Sequence, residues 1–489
     1  MGHFFANVAS VDIADAAALL DRRVAEARAS EDIPDVAYGL ILAGSLVHSG
    51  AVGSMERERN VSDVAFRIAS MTKSFTAATV LRLRDEGLLG LDMQVSDVLP
   101  WTADIGLPIS SPALRIQHLL TMTAGLPTDD PWGDRQESLP LCDFDALVAD
   151  GLTWCRPPGI SFEYANLAYA LLGRVVTAVT GADFTTVVRE MMLEPLGMHR
   201  TTFDVDATGN RATGWHPVAS GLIEQAEGPP GAFSPMGGLW STVGDMALWV
   251  AFMESAWADT PDDGPLSRWS RREMQRSHVF VALDSHGGAE GYGMGLRVDH
   301  DPSIGLVVHH SGGYPGYGSH MRWHPDTRWG VVALANRTYA PIRRACAQAL
   351  AAIVGDEAPA MRRQRAEDRL WPQTRQAMDL AESLLLRWDD SALDRWSAVN
   401  LDLDQPRDER RHHWQQWGVG SVARRAGQVT SRSPAHACWQ VDTDRGVIEL
   451  DVSLTAERPP KIQSISAKRP GNTSVEGGDG NPADVQPVT

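Results

Sequence analysis

The stretch Phe66-Arg67-Ile68-Ala69-Ser70-Met71-Thr72-Lys73 decides how this chain is read. Residues 70–86 carry a helical apolar pattern closed by Gly87, so Ser70 and Lys73 open a helix. Three positions apart, they share one helix face, and the lysine reaches the serine hydroxyl. A serine hydroxyl is a poor nucleophile until a neighbouring base takes its proton. Lysine can be that base when its surroundings depress its pKa, whereas arginine keeps its proton. The helix N-terminus adds a field that stabilises developing negative charge. Lys and Arg number 44, but only Lys73, Lys461 and Lys468 are lysines, so the first 460 residues hold a single one. The bland alternative, a solvated lysine on a helix surface, leaves that isolation unexplained.

Two further segments carry chemistry. Tyr164-Ala165-Asn166 follows the rigid turn Pro157-Pro158-Gly159. A phenol beside a lysine can be held partly as phenolate, and Asn166 offers a donor and an acceptor to a substrate amide or to Lys73. His310-Ser311-Gly312-Gly313 is expected to end a strand over residues 305–309, with His309 on the opposite strand face. The glycines let a substrate lie against the backbone, and the amides of Ser70 and Gly313 can pair as an oxyanion hole. Taken singly, a packed tyrosine and a satisfied histidine are the commoner explanations. Rival signatures are absent: no G-x-S-x-G nucleophile elbow, P-loop or dinucleotide-binding glycine pattern occurs.

Together these elements resemble the penicillin-binding-protein and class C-type serine β-lactamase family, whose motifs are S-x-x-K, Y-x-N and a K/H-[ST]-G strand. Other similar stretches are Leu119–Pro127, Gly237–Thr242 followed by Asp245-Met246, and Tyr292–Leu296. The resemblance covers about residues 15–355. It implies an α+β fold, an antiparallel sheet flanked by helices with an all-helical subdomain. It also implies Ser70 as nucleophile, Lys73 and Tyr164 as proton shuttle, and Asn166, His310 and Ser311 as substrate-positioning groups. Ser70 and Gly313 would supply the oxyanion hole. The third motif departs from β-lactamases, which usually begin it with lysine. Histidine is mostly neutral at pH 7 and is no fixed anchor for a carboxylate. This is similar to the family's esterases, D-aminopeptidases, D-amino-acid amidases and penicillin-binding-type peptide cyclases.

The expected activity is therefore cleavage of a small ester, amide or D-residue-containing peptide through a Ser70 acyl-enzyme. An amine acceptor, as in a peptide cyclase or transacylase, and a non-catalytic binding or sensor module are the alternatives. No cofactor or metal is expected: Cys142, Cys155, Cys346 and Cys438 form no C-x-x-C pair, and no H-E-x-x-H occurs. A net charge of −18 disfavours nucleic acid. No run of 18 apolar residues predicts a membrane span. The N-terminal segment is acidic where an export signal would be apolar, which predicts a cytoplasmic protein and argues against cell-wall trimming.

Along the chain, residues 11–29 read as an amphipathic helix and residues 36–42 and 45–52 as a hairpin. A mostly helical region runs to about residue 200, strands follow near 306–310, 320–324 and 330–334, and a helix covers 339–354. Three domain-level segments are expected: a catalytic domain over 1–358, a small α+β accessory domain over 359–469, and a disordered tail over 470–489. A charged linker lies near 356–372. The accessory domain, with helices at 373–388 and 390–399 and strands at 438–443, 446–454 and 461–468, resembles an NTF2-like or cystatin-like cone.

Overall fold

A computed structural model describes residues 11–57, 60–258, 261–284, 287–355, 358, 367–417 and 424–470. Internal contacts divide the chain into two compact units, Met1–Pro359 and Ala360–Thr489. Most of the expected linker and nearly all of the expected tail lie outside the described residues.

The first unit is organised by a hairpin. Strand β1 (Val36–Leu42) is an unbroken apolar run and is buried on both faces, whereas β2 (Ser45–Val52) is half-exposed, as an edge strand is. Ala43 (φ 51°) and Gly44 (φ 83°) both take positive φ, the geometry that matches a two-residue turn to strand twist. Two two-residue strands, β3 (Phe66–Arg67) and β6 (Trp240–Ser241), pair with each other, as do β4 (Trp215–Val218) and β5 (Gly221–Glu224). The main sheet is completed by β7 (Val279–Leu283), β8 (Ala289–Tyr292), β9 (Arg297–Asp301), β10 (Gly305–Tyr314), β11 (Tyr317–His324) and β12 (Trp329–Ala335). Its eight strands run in the order β2-β1-β12-β11-β10-β9-β8-β7, every pair antiparallel.

Alternation along the strands separates two cores. Val36, Tyr38, Leu40, Val331, Ala333 and Val307 pack with helices α1 (Ile13–Ser30) and α11 (Arg343–Val354). Ala37, Ile41, Val332, Leu334, Val308 and Met321 face the larger core of the helical region. That region contains α2 (Thr72–Asp85), α3 (Val95–Val98), α4 (Ile116–Leu120), α5 (Leu141–Ala149), α6 (Asn166–Thr180), α7 (Phe184–Val188), α8 (Ser234–Gly237), α9 (Val243–Glu254) and α10 (Arg268–Met274). Only α2, α6 and α9 exceed ten residues, so long loops rather than continuous helix fill much of the stretch to residue 200.

Several expected boundaries change. Strand β10 does not end before His310 but continues to Tyr314, with Gly312 opposite Ser319 and Gly313 opposite Gly318. Gly312, expected to make room for a substrate, makes room for the protein's own backbone: a Cβ there would lie 2.2 Å from the Ile68 carbonyl oxygen and 2.2 Å from Ser319 Oγ. Strands β8 and β9 escape a sequence reading because AEGY and RVDHD carry no apolar run; register with their neighbours defines them. Helix α11 starts at Arg343, since Tyr339 sits at φ 51°.

The second unit has helices Pro372–Leu386, Asp390–Trp396, Leu401–Asp404 and Arg407–Trp417 and a four-stranded antiparallel sheet: β13 (Arg424–Thr430), β14 (His436–Thr443), β15 (Gly446–Leu454) and β16 (Ile462–Lys468). The Arg407–Trp417 helix is too polar to show a stripe; Arg410 and Trp414 are its buried residues.

Gly312→Ala tests the approach of β10 to the Ile68 turn. The added methyl has no room, so unfolding should become easier by about 1–3 kcal/mol, the usual cost of overpacking. An unchanged denaturation midpoint would show that the turn yields freely.

Candidate active site

Ser70 lies in a 3-10 turn, Ala69–Met71, that leads straight into α2. Ala69 is held at φ 48°, a region that non-glycine residues enter at a cost and that recurs beside reacting groups. Lys73, one turn on, has no solvent exposure. Its Nζ donates to Ser70 Oγ at 2.9 Å, to Asn166 Oδ1 at 2.7 Å and to the Met236 carbonyl at 2.9 Å. An ammonium has three N–H donors, and each is matched. Burial still depresses the group from its ordinary 10.5 to about 8, although Asp130, Asp134 and Asp129 pull it upward. The cation also stands 4.9 Å from the centre of the Tyr164 ring.

Tyr164 interacts with Ser70, and burial pushes its phenol well above the usual value. The phenolate expected from its neighbouring lysine is therefore not its resting form. Lys73, not Tyr164, is the group brought toward neutral pH. Asn166 opens α6 and is fully buried. Its Oδ1 accepts from Lys73 and its Nδ2 donates to Asp130, so both ends of the amide are occupied within the protein. Asp129 accepts from the backbone N–H groups of Asn166 at 2.6 Å and Leu167 at 2.8 Å, satisfying the orphan donors of this helix end from a distant loop.

On β10, His310 faces the Ser70 side and Ser311 the α11 side. His310 Nδ1 lies 2.6 Å from the Ser311 carbonyl oxygen. A carbonyl only accepts, so Nδ1 carries the proton. Burial lowers the ring well below 6.5, so it is neutral and Nε2 is a bare acceptor, buried and without a partner among the described residues. Ser311 Oγ meets His320 Nδ1 at 2.9 Å. Gly313 lies under Tyr339, where a Cβ would come within 2.7 Å of the ring.

Ser70, Tyr164, His310, Ser311 and Gly313 line one cleft of about 320 Å³, together with Thr128, Asp130, Asp134, Arg297, Tyr339 and Arg343. Lys73 and Asn166 stand behind its wall. Spacing did not reveal the second group. Arg297 directly follows the Tyr292–Leu296 stretch, which was the one available signal. The arginines alter an inference drawn from the third motif: the cation missing at His310 is supplied from β9 and from the start of α11. Opposite in charge are Asp130 and Asp134. Asp134 accepts from Tyr339 Oη at 3.0 Å, and burial beside Asp130 raises it to about 7. Among the described residues no group of His, Cys, Asp and Glu could hold a metal ion.

A buried clamp joins β3 and β10. Arg67, just before Ser70, pairs with Glu137 at 2.5 Å and Glu227 at 3.1 Å, and Tyr314 Oη donates to Glu137 at 2.5 Å. The end of β10 is thereby tied to the strand that delivers the nucleophile.

A serine met by a buried lysine stands between an antiparallel sheet and a helical region, the arrangement expected of the penicillin-binding and serine β-lactamase family. A family model described as Beta-lactamase matches residues 20–355, and the chain belongs to that family. Protein flp of Staphylococcus aureus (strain MW2) is 27% identical over 318 residues, 62% of this chain and 60% of that protein. The chain thus spans about 60% of the length of that curated relative. Penicillin-binding protein 4 of Amycolatopsis lactamdurans is 29% identical over 318 residues, covering 63% of this chain and 81% of its own. The octameric penicillin-binding protein homologue from Pyrococcus abyssi shares the fold, with a TM-score of 0.59 at 21% identity over 90% of this chain and 91% of its own.

Asp134 gives a stability test with a defined sign. Its carboxyl titrates near 7 when folded against an ordinary 3.8, so the folded state holds a proton that the unfolded chain has released. Stability attributable to this group falls as pH rises from about 4 to 7 and stays lost above. Asp134→Asn should therefore raise the melting temperature, relative to the parent, more at pH 8 than at pH 4. An equal difference at both pH values would mean that the carboxyl ionises normally.

Proposed function

We propose that this protein is a serine hydrolase that cleaves a small ester, amide or D-residue-containing peptide through an acyl-enzyme on Ser70. The observation that carries the reading is the fully buried Lys73, depressed to about 8 and 2.9 Å from Ser70 Oγ. In its amine form Lys73 takes the Ser70 proton, directly or through the Tyr164 hydroxyl, as Ser70 Oγ attacks the carbonyl carbon. The carbonyl oxygen becomes an oxyanion and accepts from the N–H groups of Ser70 and Gly313, both of which line the cleft. The proton passes to the leaving alcohol or amine as the bond breaks. Water then attacks the ester, again losing its proton to the Lys73–Tyr164 pair, and Ser70 is restored.

The same cleft suggests how substrate is held. Arg297 and Arg343 offer cations to a carboxylate near the scissile bond. The bare Nε2 of His310 offers an acceptor to a substrate N–H or hydroxyl. Asn166 then acts through Lys73, fixing the ammonium rather than touching substrate.

A fluorophosphonate probe should modify one residue, and peptide mass spectrometry should assign it to Ser70. Labelling that survives Ser70→Ala would overturn the nucleophile. The acceptor is read from the products of an ester incubated with and without added amine: free acid alone supports hydrolysis, and a dominant amide product would make the enzyme a transacylase.

The base predicts a pH profile. With Lys73 near 8, kcat/KM should climb about tenfold per pH unit below that value as the amine fraction grows, and level off above it. Lys73→Arg should lower kcat/KM by about 100- to 10,000-fold, because a guanidinium keeps its proton throughout. A variant within threefold of the parent would return Lys73 to a structural charge.

A further inference from the structure

We propose that His320 is a positioning residue that fixes the Ser311 hydroxyl as a hydrogen-bond donor toward the cleft, where it joins Arg297 and Arg343 in receiving an anionic group of the substrate. The kinetic part of this proposal rests on the acyl-enzyme reading above; the state of the imidazole does not.

Ser311 on β10 and His320 on β11 stand directly opposite in the ladder, with Oγ and Nδ1 2.9 Å apart. They share the α11 face with His309 and Arg322, which are likewise cross-strand partners. His320 has no solvent exposure, and its ring centre is 5.5 Å from that of His309. His309 is itself held by Asp299 at 2.7 Å. Other groups acting on His320 are Arg343 and His310, and Arg322 is the strongest charge among them. Cys346 of α11, a thiol raised to about 12 by burial, lies within electrostatic reach of Arg322. Burial and the arginines keep the His320 ring neutral.

A neutral imidazole has one N–H, so the 2.9 Å bond can be made in two ways. If Ser311 donates, the proton of His320 sits on Nε2. That nitrogen is buried with no partner among the described residues, and so are Nε and Nη1 of Arg322. That N–H would then have no acceptor among the described residues within hydrogen-bond reach and would face the positive charge of Arg322, the unpaired Nδ1 of His309 being in the same pocket but not bonded to it. If Nδ1–H donates instead, Nε2 presents a lone pair to that charge, which favours it. Arg322 thus selects the Nδ1–H form. Ser311 Oγ accepts from His320, and its own proton is left for the cleft, which Ser311 lines and where it is partly exposed. Three donors of independent origin then surround one region: the Ser311 hydroxyl, Arg297 of β9 and Arg343 of α11.

Two measurements test this on the full chain. Long-range proton–nitrogen NMR correlation of the ¹⁵N-labelled protein, with His320 assigned by substitution, should give a protonated Nδ1 and a bare Nε2; the opposite tautomer overturns the proposal. Kinetics should use two esters that differ only in a carboxylate or carboxamide beside the scissile bond. His320→Leu should raise KM for the carboxylate about tenfold, the scale of one hydrogen bond to a charged group, and leave the carboxamide and both kcat values nearly unchanged. His320→Asn, which retains an N–H donor for Ser311 Oγ, should restore much of the difference. Equal losses on both esters in the leucine variant would mark His320 as merely structural and overturn the proposal. If the parent turns over neither ester and Ser70 resists labelling, the acyl-enzyme reading fails, and the NMR result alone decides the role of His320.

Discussion

A lysine ammonium with no access to water is tolerated only if every donor is matched, and this condition at Lys73 organises the first unit. Its three acceptors come from three places in the chain: Ser70 in the preceding turn, Asn166 at the start of α6, and the Met236 carbonyl within α8. Withdrawing one acceptor would leave one N–H of a buried ammonium unsatisfied, which typically costs about 1–3 kcal/mol. Convergence of α2, α6 and α8 is therefore a requirement of the charge as well as of apolar packing. Asp129 supports it by bonding the first two backbone donors of α6, which holds Asn166 against the lysine. The acidic trio Asp129, Asp130 and Asp134 moderates the desolvation, so that the lysine titrates within reach of neutral pH.

The second organising constraint is the two-residue period of β10. His310 and Gly312 face the nucleophile, while His309 and Ser311 face α11. Gly312 lets the strand close on the Ile68 carbonyl, and this brings His310 beside Ser70. The alternate residues look toward histidines and arginines, so one strand borders both Ser70 and the two arginines of the cleft. The division explains how a neutral histidine can occupy the third motif without removing cationic character from the cleft. Charge is carried by Arg297 and Arg343, and the motif residue is left free to accept a hydrogen bond.

Much of this was legible beforehand. The α1 helix and the β1–β2 hairpin follow from apolar period and from Ala43-Gly44, because such elements are set by local pattern. Ser70, Lys73, Tyr164, His310, Ser311 and Gly313 were legible because their chemistry is rare in combination, and one lysine in 460 residues leaves few rivals. Strands β8 and β9 were not legible, nor was the extension of β10 through its glycines, since both are defined by cross-strand register. The helix at Arg407–Trp417 hid behind its polar face.

The sequence by itself nominated Ser70 as nucleophile and Lys73 as base, because the two stand one helical turn apart and Lys73 is the single lysine of the first 460 residues. Tertiary structure decided their state and their company. The depression of Lys73, the neutral phenol of Tyr164 and the bare Nε2 of His310 are products of burial, which no spacing encodes. The engagement of Asn166 with Lys73 and Asp130, and the arrival of Arg297 and Arg343 at the cleft, depend on distances across strands and loops far apart in the chain. Charge and proton position are properties of a dielectric environment, and that environment exists only once the sheet and helices have closed around the site.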